Sequence, residues 1–234
     1  MTLYLFWDID GTLLLTGRAG IIALEQAAEE VMGRPIDLAA TQTAGLTDAE
    51  ICLAIADGDA ARAAHMLRRY AELLPAALPQ RQGRVLPNVR ENLDALSARD
   101  DVVNMLLTGN VAEGAEAKLR HYGLWDYFSG TGGAFSVEGS DRTSIARRAR
   151  ELAAEHGGEV PPGERMVVIG DTPHDISCGK AIGARTVAVA TGPGSGRPEL
   201  EACDPWLALD ELPDTRSFAG LLGLDGTSVD QSVW

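Results

Sequence analysis

Close to its start the chain carries an unbroken apolar run, Leu3-Tyr4-Leu5-Phe6-Trp7, that ends in Asp8-Ile9-Asp10-Gly11-Thr12. A run of this length bounded by turn residues predicts a buried strand of a parallel sheet, with both carboxylates at its C-terminal end. That edge is where open α/β sheets bind ligands, because the loops leaving the strands diverge there. Asp8 and Asp10 share a face if the strand continues, and Gly11 lets the chain turn around the same point. Two adjacent carboxylates repel unless a positive charge lies between them, so the pair predicts a cation, most simply Mg²⁺ with its preference for oxygen ligands. A helix cap and an ordinary Asp-Gly turn are the structural alternative.

Composition narrows the partners. With 20 basic against 34 acidic residues the net charge is −14, which argues against a broad nucleic-acid or anionic-membrane surface. An anionic substrate would need local attraction from a metal and a few placed arginines. The 234 residues, 45% of them hydrophobic, suffice for a substantial core. No apolar stretch is long enough to span a bilayer, and the N-terminal run carries acids where a signal peptide would carry bases, so a soluble, cytoplasmic protein is expected. Cys52, Cys178 and Cys203 are odd in number and show no CxxC pattern, which predicts reduced, mostly buried thiols. Lys118 and Lys180 are the only lysines.

From Ile21 to Leu78 the period becomes helical. Ile21, Leu24, Ala27, Ala28 and Val31 mark one helix ended by Gly33-Arg34-Pro35; Thr47-Asp48-Ala49-Glu50 has capping-box spacing and opens a second; a third runs from about Ala60 to Leu74, ended by Pro75 and Pro79. An all-helical stretch between two strands of an α/β pattern reads as an inserted domain of residues 15–84, within a core of residues 1–14 and 85–234. At the catalytic edge of a sheet such an insertion can act as a lid, or it can be decorative. A helix is expected from Val85 to Leu96.

Val102–Leu107 is a second buried strand, ending in Thr108-Gly109-Asn110 before a helix from Ala112 to Tyr122. A hydroxyl leading into a helix N-terminus suits a phosphate, though Thr108 can equally be a helix cap. A short third strand is expected within Phe128–Phe135. Ser140-Asp141-Arg142-Thr143-Ser144 opens a helix ending near Gly157. Arg142 is out of place there, because the helix dipole disfavours a cation at the N-terminus; a nearby anion would account for it, as would plain solvent exposure. Arg165–Asp171 is a further buried strand ending in a carboxylate, which puts Asp171 on the same edge as Asp8, and Thr172 with Asp175 has capping geometry. Another strand follows at Thr186–Ala190, then a helix and strand within Leu200–Leu212; the polar tail from Asp225 to Ser228 is expected to be loosely held.

In order after successive strands, Asp8-x-Asp10-Gly11-Thr12, Thr108-Gly109-Asn110, a basic residue, and Gly170-Asp171-Thr172-x-x-Asp175 resemble the haloacid dehalogenase-like hydrolase superfamily, over essentially the whole chain. The branch it resembles is that of the phosphatases with a helical cap, such as phosphoglycolate phosphatase. The resemblance implies a doubly wound parallel sheet, Rossmann-like, with an inserted all-helical cap. It further implies that Asp8 is the nucleophile forming an aspartyl-phosphate and that Asp10 is the general acid and base. Thr108, Gly109 and Asn110 would hold phosphoryl oxygens, and Asp8, Asp10, Asp171 and Asp175 would bind Mg²⁺. Most relatives have a lysine as the third motif. Lys118, in the helix after Thr108, and Lys180, beyond the fourth motif, do not fit, so Arg142 is the candidate, as catalytic and phosphate-binding residue.

Within the superfamily, Asp10 speaks against dehalogenation, since a halide needs no proton, and the lack of lysine between Leu15 and Arg84 speaks against Schiff-base phosphonate chemistry. The expectation is a Mg²⁺-dependent hydrolase of a small phosphorylated metabolite. A sugar-phosphate mutase like β-phosphoglucomutase and a non-catalytic phosphate-binding protein are the alternatives. Gly45-Leu46-Thr47-Asp48 is either a specificity loop or a helix cap.

Overall fold

Alternation within the first strand divides the core in two. The computed structural model describes residues 2–38, 45–137 and 141–225. In chain order its elements are β1 (Leu3–Trp7), β2 (Leu14–Leu15), α1 (Ala19–Met32), α2 (Asp48–Ile55), α3 (Ala60–Ala77), β3 (Arg84–Val85), α4 (Val89–Ser97), β4 (Val102–Leu107), α5 (Ala112–His121), β5 (Gly133–Ala134), α6 (Arg142–Gly157), β6 (Met166–Gly170), α7 (Pro173–Ala181), β7 (Arg185–Val189), α8 (Arg197–Ala202), β8 (Leu207–Leu209) and α9 (Thr215–Leu221). Leu3, Leu5 and Trp7 point to one face of β1 and pack with Leu93, Leu96, Leu119 and Phe218 from α4, α5 and α9. Tyr4 and Phe6 point to the other and meet Ile145, Ala149 and Cys178 from α6 and α7. Helices on both faces are what a strand apolar on both sides requires. The one buried polar ring atom on β1 is satisfied, as Trp7 Nε1 donates to Asn104 Oδ1 at 2.9 Å.

Six parallel strands run in the order β5-β4-β1-β6-β7-β8. β1 lies between β4 and β6, so the chain leaves it first to one side and later to the other. That is a topological switch point, where a crevice opens at the strand ends. Trp7 stands opposite both Leu106 and Ile169, so the C-terminal ends of β1, β4 and β6 finish level.

Between β2 and β3, which pair antiparallel at Leu14–Val85 and Leu15–Arg84, lie α1, α2 and α3. These helices have their own core: small residues Ala19, Ala23 and Ala27 on α1 admit Met66, Tyr70 and Leu74 of α3, with Ile51 and Cys52 of α2 closing it. Each large side chain so buried contributes about 1.5–3 kcal/mol. Val111, at the start of α5, also belongs to this cluster and ties it to the sheet.

Two boundaries depart from the sequence reading. The third helix continues through Pro75 to Ala77, since a proline so near a C-terminus removes only one intrahelical bond. The expected helix at Val85 begins only at Val89, because residues 84–85 are used to pair with β2. Of the polar tail, only Asp225 falls within the described residues, as do all but residues 39–44 of the loop before Thr47, while Ser140 falls outside. Cys52 and Cys178 are buried and free, and burial pushes both thiols up to about 12, so neither is a ready nucleophile. Among the described residues no helix is long and apolar enough to cross a membrane.

Candidate active site

The level strand ends deliver Asp8 from β1, Thr108 from β4 and Asp171 from β6 to one crevice, and the first turn of α7 adds Asp175. Asp8, Asp171 and Asp175 are all buried, and each offers an oxygen within 4.8 Å of the others. Burial raises the Asp8 pKa to about 7, reinforced by the charges of Asp175 and Asp10 and partly offset by Arg142 and a hydrogen bond from Thr108. Asp171 is raised to about 9 by burial and then by Asp175 and Asp8. Crowded carboxylates of this kind are stable as anions only beside a cation. The donor set is all hard oxygen, which fits a divalent ion such as Mg²⁺. The backbone comes close around it: Gly11 has φ +87°, and a Cβ there would lie 2.3 Å from Asp171 Oδ2. A side chain at position 11 would therefore be strained and would also displace the carboxylate.

Asp175 is held firmly. Thr172 and Asp175 form the capping box of α7, with Asp175 Oδ2 accepting from the Thr172 hydroxyl at 2.6 Å and from its N–H at 3.0 Å. Its Oδ1 accepts from Arg142 Nη1 at 3.1 Å. Both oxygens thus have partners within the protein.

Arg142, first residue of α6, turns away from solvent; its side chain is 13% exposed. Burial alone would lower its pKa, but Asp175 and Asp8 outweigh this and the net shift is upward. The misplaced cation at the helix start is thereby accounted for by anions of its own protein. Nε also donates to Gly45 O at 2.9 Å, and a Cβ at Gly109 would come within 3.0 Å of Nη2. Arg142 therefore joins Asp175, the loop before α2 and the turn after β4.

That loop is docked on the core. Thr47 and Glu50 form a capping box for α2. The adjacent Asp48 donates its N–H to Gly109 O at 2.8 Å and accepts from Val111 N–H through Oδ2 at 2.9 Å. Burial raises the Asp48 pKa to about 6, with Lys118 and the Val111 hydrogen bond opposing.

Sequence reasoning set Lys118 aside, and the structure corrects its placement. The Lys118 ammonium lies 2.5 Å from Asp10 Oδ2 and 2.5 Å from Asn110 Oδ1, with a side chain only 5% exposed. The missed signal was helical spacing: Ala115, Lys118 and Leu119 share the buried stripe of α5. Asn110, expected among the phosphate holders, has its amide committed instead; Nδ2 donates to Asp10 Oδ2 at 2.9 Å and to Thr108 Oγ1 at 2.8 Å. Lys180 pairs with Asp204 far from this cluster.

Above these groups is a cavity of about 450 Å³ lined by Asp8, Asp10, Lys118, Arg142 and Asp171 below and by Leu15, Ile21, Leu24, Leu46 and Ile51 above. Polar groups converge on one end and apolar side chains from the insertion form the other, the usual build of a small-molecule site.

The sequence profile of the haloacid dehalogenase-like hydrolases matches residues 5–180. The chain belongs to this family. A relative named "Probable phosphatase IndB", from Dickeya dadantii, is 28% identical over 95% of this chain and 96% of its own length. "Tyrosine-protein kinase PtkA" of Mycobacterium tuberculosis is 30% identical over 80% of this chain, which spans only 62% of that protein. Among solved structures, CbbY from Rhodobacter sphaeroides in complex with phosphate superposes with a TM-score of 0.69 at 20% identity, covering 96% of this chain and all of that one. At that identity the likeness speaks for the fold, which is that of the haloacid dehalogenase-like core.

Truncating the arginine of this hydrolase is expected to be costly. Arg142→Ala should lower kcat/KM for phosphate release by at least about tenfold, because it removes a buried cation beside Asp8 and leaves Asp175 Oδ1 unpaired. An unchanged rate would reduce Arg142 to a structural partner of Asp175.

Proposed function

We propose that this chain is a phosphatase that hydrolyses small phosphate monoesters by way of a phosphoryl group carried on Asp8. The observation that carries this reading is the pairing of two differently held carboxylates at one cavity floor. Asp8 is buried among acids and beside Arg142, whereas Asp10 is 42% exposed and fixed by Lys118. One suits a nucleophile and the other a proton carrier.

In the first half-reaction a carboxylate oxygen of Asp8 attacks phosphorus in line, the P–O bond to the alcohol breaks, and Asp10 gives its proton to the departing oxygen. In the second, Asp10 takes a proton from water as that water attacks phosphorus, and the P–O bond to Asp8 breaks to release phosphate. Thr108, the N–H of Gly109 and Arg142 hold the phosphoryl oxygens, while Asn110 serves Asp10. A divalent cation held by Asp8 and Asp171, with the Asp10 carbonyl and Asp175 in support, would neutralise charge on the transferring group. Asp175 contributes chiefly by keeping Arg142 in place.

The helical insertion, residues 15–84, acts as the cap that closes on the core of residues 1–14 and 85–234. Its apolar wall selects the alcohol and excludes water from the acids. A cavity of about 450 Å³ suits a small phosphate monoester, such as phosphoglycolate, a sugar phosphate or a nucleotide.

The test is release of inorganic phosphate from a panel of small esters, with Mg²⁺ and with excess chelator. Metal-dependent release is the expected result. A persistent phosphoenzyme without release would indicate a mutase, and neither signal on any ester would overturn the reading.

A further inference from the structure

The contacts of Lys118 distinguish the two oxygens of Asp10. An ammonium out of water costs several kcal/mol unless its donors are satisfied. At hydrogen-bond distance Lys118 has two acceptors, Asp10 Oδ2 and Asn110 Oδ1, and Tyr70 of α3 lines the same cavity. Asp10 Oδ2 thus receives two donors, Lys118 Nζ and Asn110 Nδ2. Among the described residues no hydrogen bond reaches Oδ1, and the side chain opens onto the cavity.

We propose that Lys118 is a positioning residue that, with Asn110, locks Oδ2 of Asp10 and leaves Oδ1 as the atom that carries the proton to and from the reacting oxygens. An oxygen that already accepts from an ammonium and an amide is a poor place for a proton, so the acid's O–H is confined to Oδ1. Tyr70, from the insertion, lines the same cavity as Lys118, so the surroundings of the lock come from both parts of the chain. No other side chain of the described residues donates to Asp10.

This rests on the phosphatase reading, and its test separates the two. The variant is Lys118→Met, similar in length and without charge. The readout is alcohol release in a single turnover, which isolates the first half-reaction. Two probes are compared: p-nitrophenyl phosphate, whose phenolate leaves without a proton, and the best alkyl phosphate from the panel, whose alkoxide does not. General acid catalysis is worth about 10²–10⁴-fold. Loss of its positioning should therefore slow the alkyl ester by about 100-fold and the nitrophenyl ester by less than about fivefold. Lys118→Met combined with Asp10→Asn should be no slower on the alkyl ester than Asp10→Asn alone. Equal losses on both esters, or losses that multiply in the double variant, would overturn the proposal by making Lys118 a general support of the fold. Should Lys118→Met not fold, Lys118→Gln, too short to reach Asp10, is held to the same comparison. Wild-type protein that turns over neither ester would defeat the phosphatase reading instead.

Discussion

Asp8→Asn is expected to lower turnover of every phosphate monoester by at least about 10³-fold while the protein still folds, because the amide matches the carboxylate in shape but is no nucleophile. Stability should move the other way. Asp8 stands among Asp10, Asp171 and Asp175, and without a cation its charge is opposed by burial and by theirs. Removing one charge from that cluster relieves repulsion, so the metal-free variant should melt higher than metal-free wild type at pH 8. Phosphate release and a thermal melt on the same preparations check both halves. Wild-type turnover in the variant would end the assignment of Asp8 as nucleophile; a lower melting temperature would mean that its carboxylate is held by bonds that matter more than the repulsion.

The second large effect is the pH dependence of stabilisation by Mg²⁺. Asp8 is raised from 3.8 to about 7 and Asp171 from 3.8 to about 9 in the metal-free fold. A group whose folded pKa lies above its unfolded value favours folding while protonated. Its contribution is complete below about pH 4 and is lost as pH climbs through 7 for Asp8 and 9 for Asp171. Each pH unit inside such a window is worth up to about 1.4 kcal/mol per group, and the coupling of the two sites lets the pair lose a few kcal/mol in all. For a chain of this size that is on the order of 10 °C in Tm. Bound Mg²⁺ requires the anions, so its stabilising increment should be small at pH 5 and grow steadily to pH 9. Melting curves with and without the ion across that range give the answer. An increment that does not change with pH would remove Asp8 and Asp171 as its origin, and Asp171→Asn should flatten the dependence.

The extent to which the site was readable from the chain varies with the kind of residue. Asp8, Thr108 and Asp171 each end a buried apolar run, and a strand that is apolar on both faces can only be a central strand of a covered sheet. Their convergence follows from that alone, since parallel strands end on the same edge. Thr47 with Glu50 and Thr172 with Asp175 were legible for a similar reason: a capping box is a contact over three residues, and local spacing decides it. Arg142 was legible as an anomaly at a helix start, although its partner was not.

Lys118 and Asn110 show where this kind of reading stops. Lys118 reaches Asp10 across 108 positions and Asn110 reaches the same carboxylate across 100. Spacing says nothing about pairs so far apart, and a lysine in a helix is ordinarily taken as solvated. The stripe Ala115-Lys118-Leu119 marked it as buried, but only the packed structure supplies the acceptors that make burial tolerable. The same holds for Asp48, whose carboxylate accepts from the Val111 N–H across 63 positions.

By itself, then, the sequence determined the buried strands of the parallel sheet, the helical stretch after the first of them and the acids at the strand ends, because those depend on periodicity and on contacts within a few residues. The tertiary structure alone decided which cation serves which acid: Arg142 with Asp175 and Lys118 with Asp10. Buried charges are stable only in particular pairs, and those pairs are fixed by where the chain brings distant side chains together, after the local structure has formed.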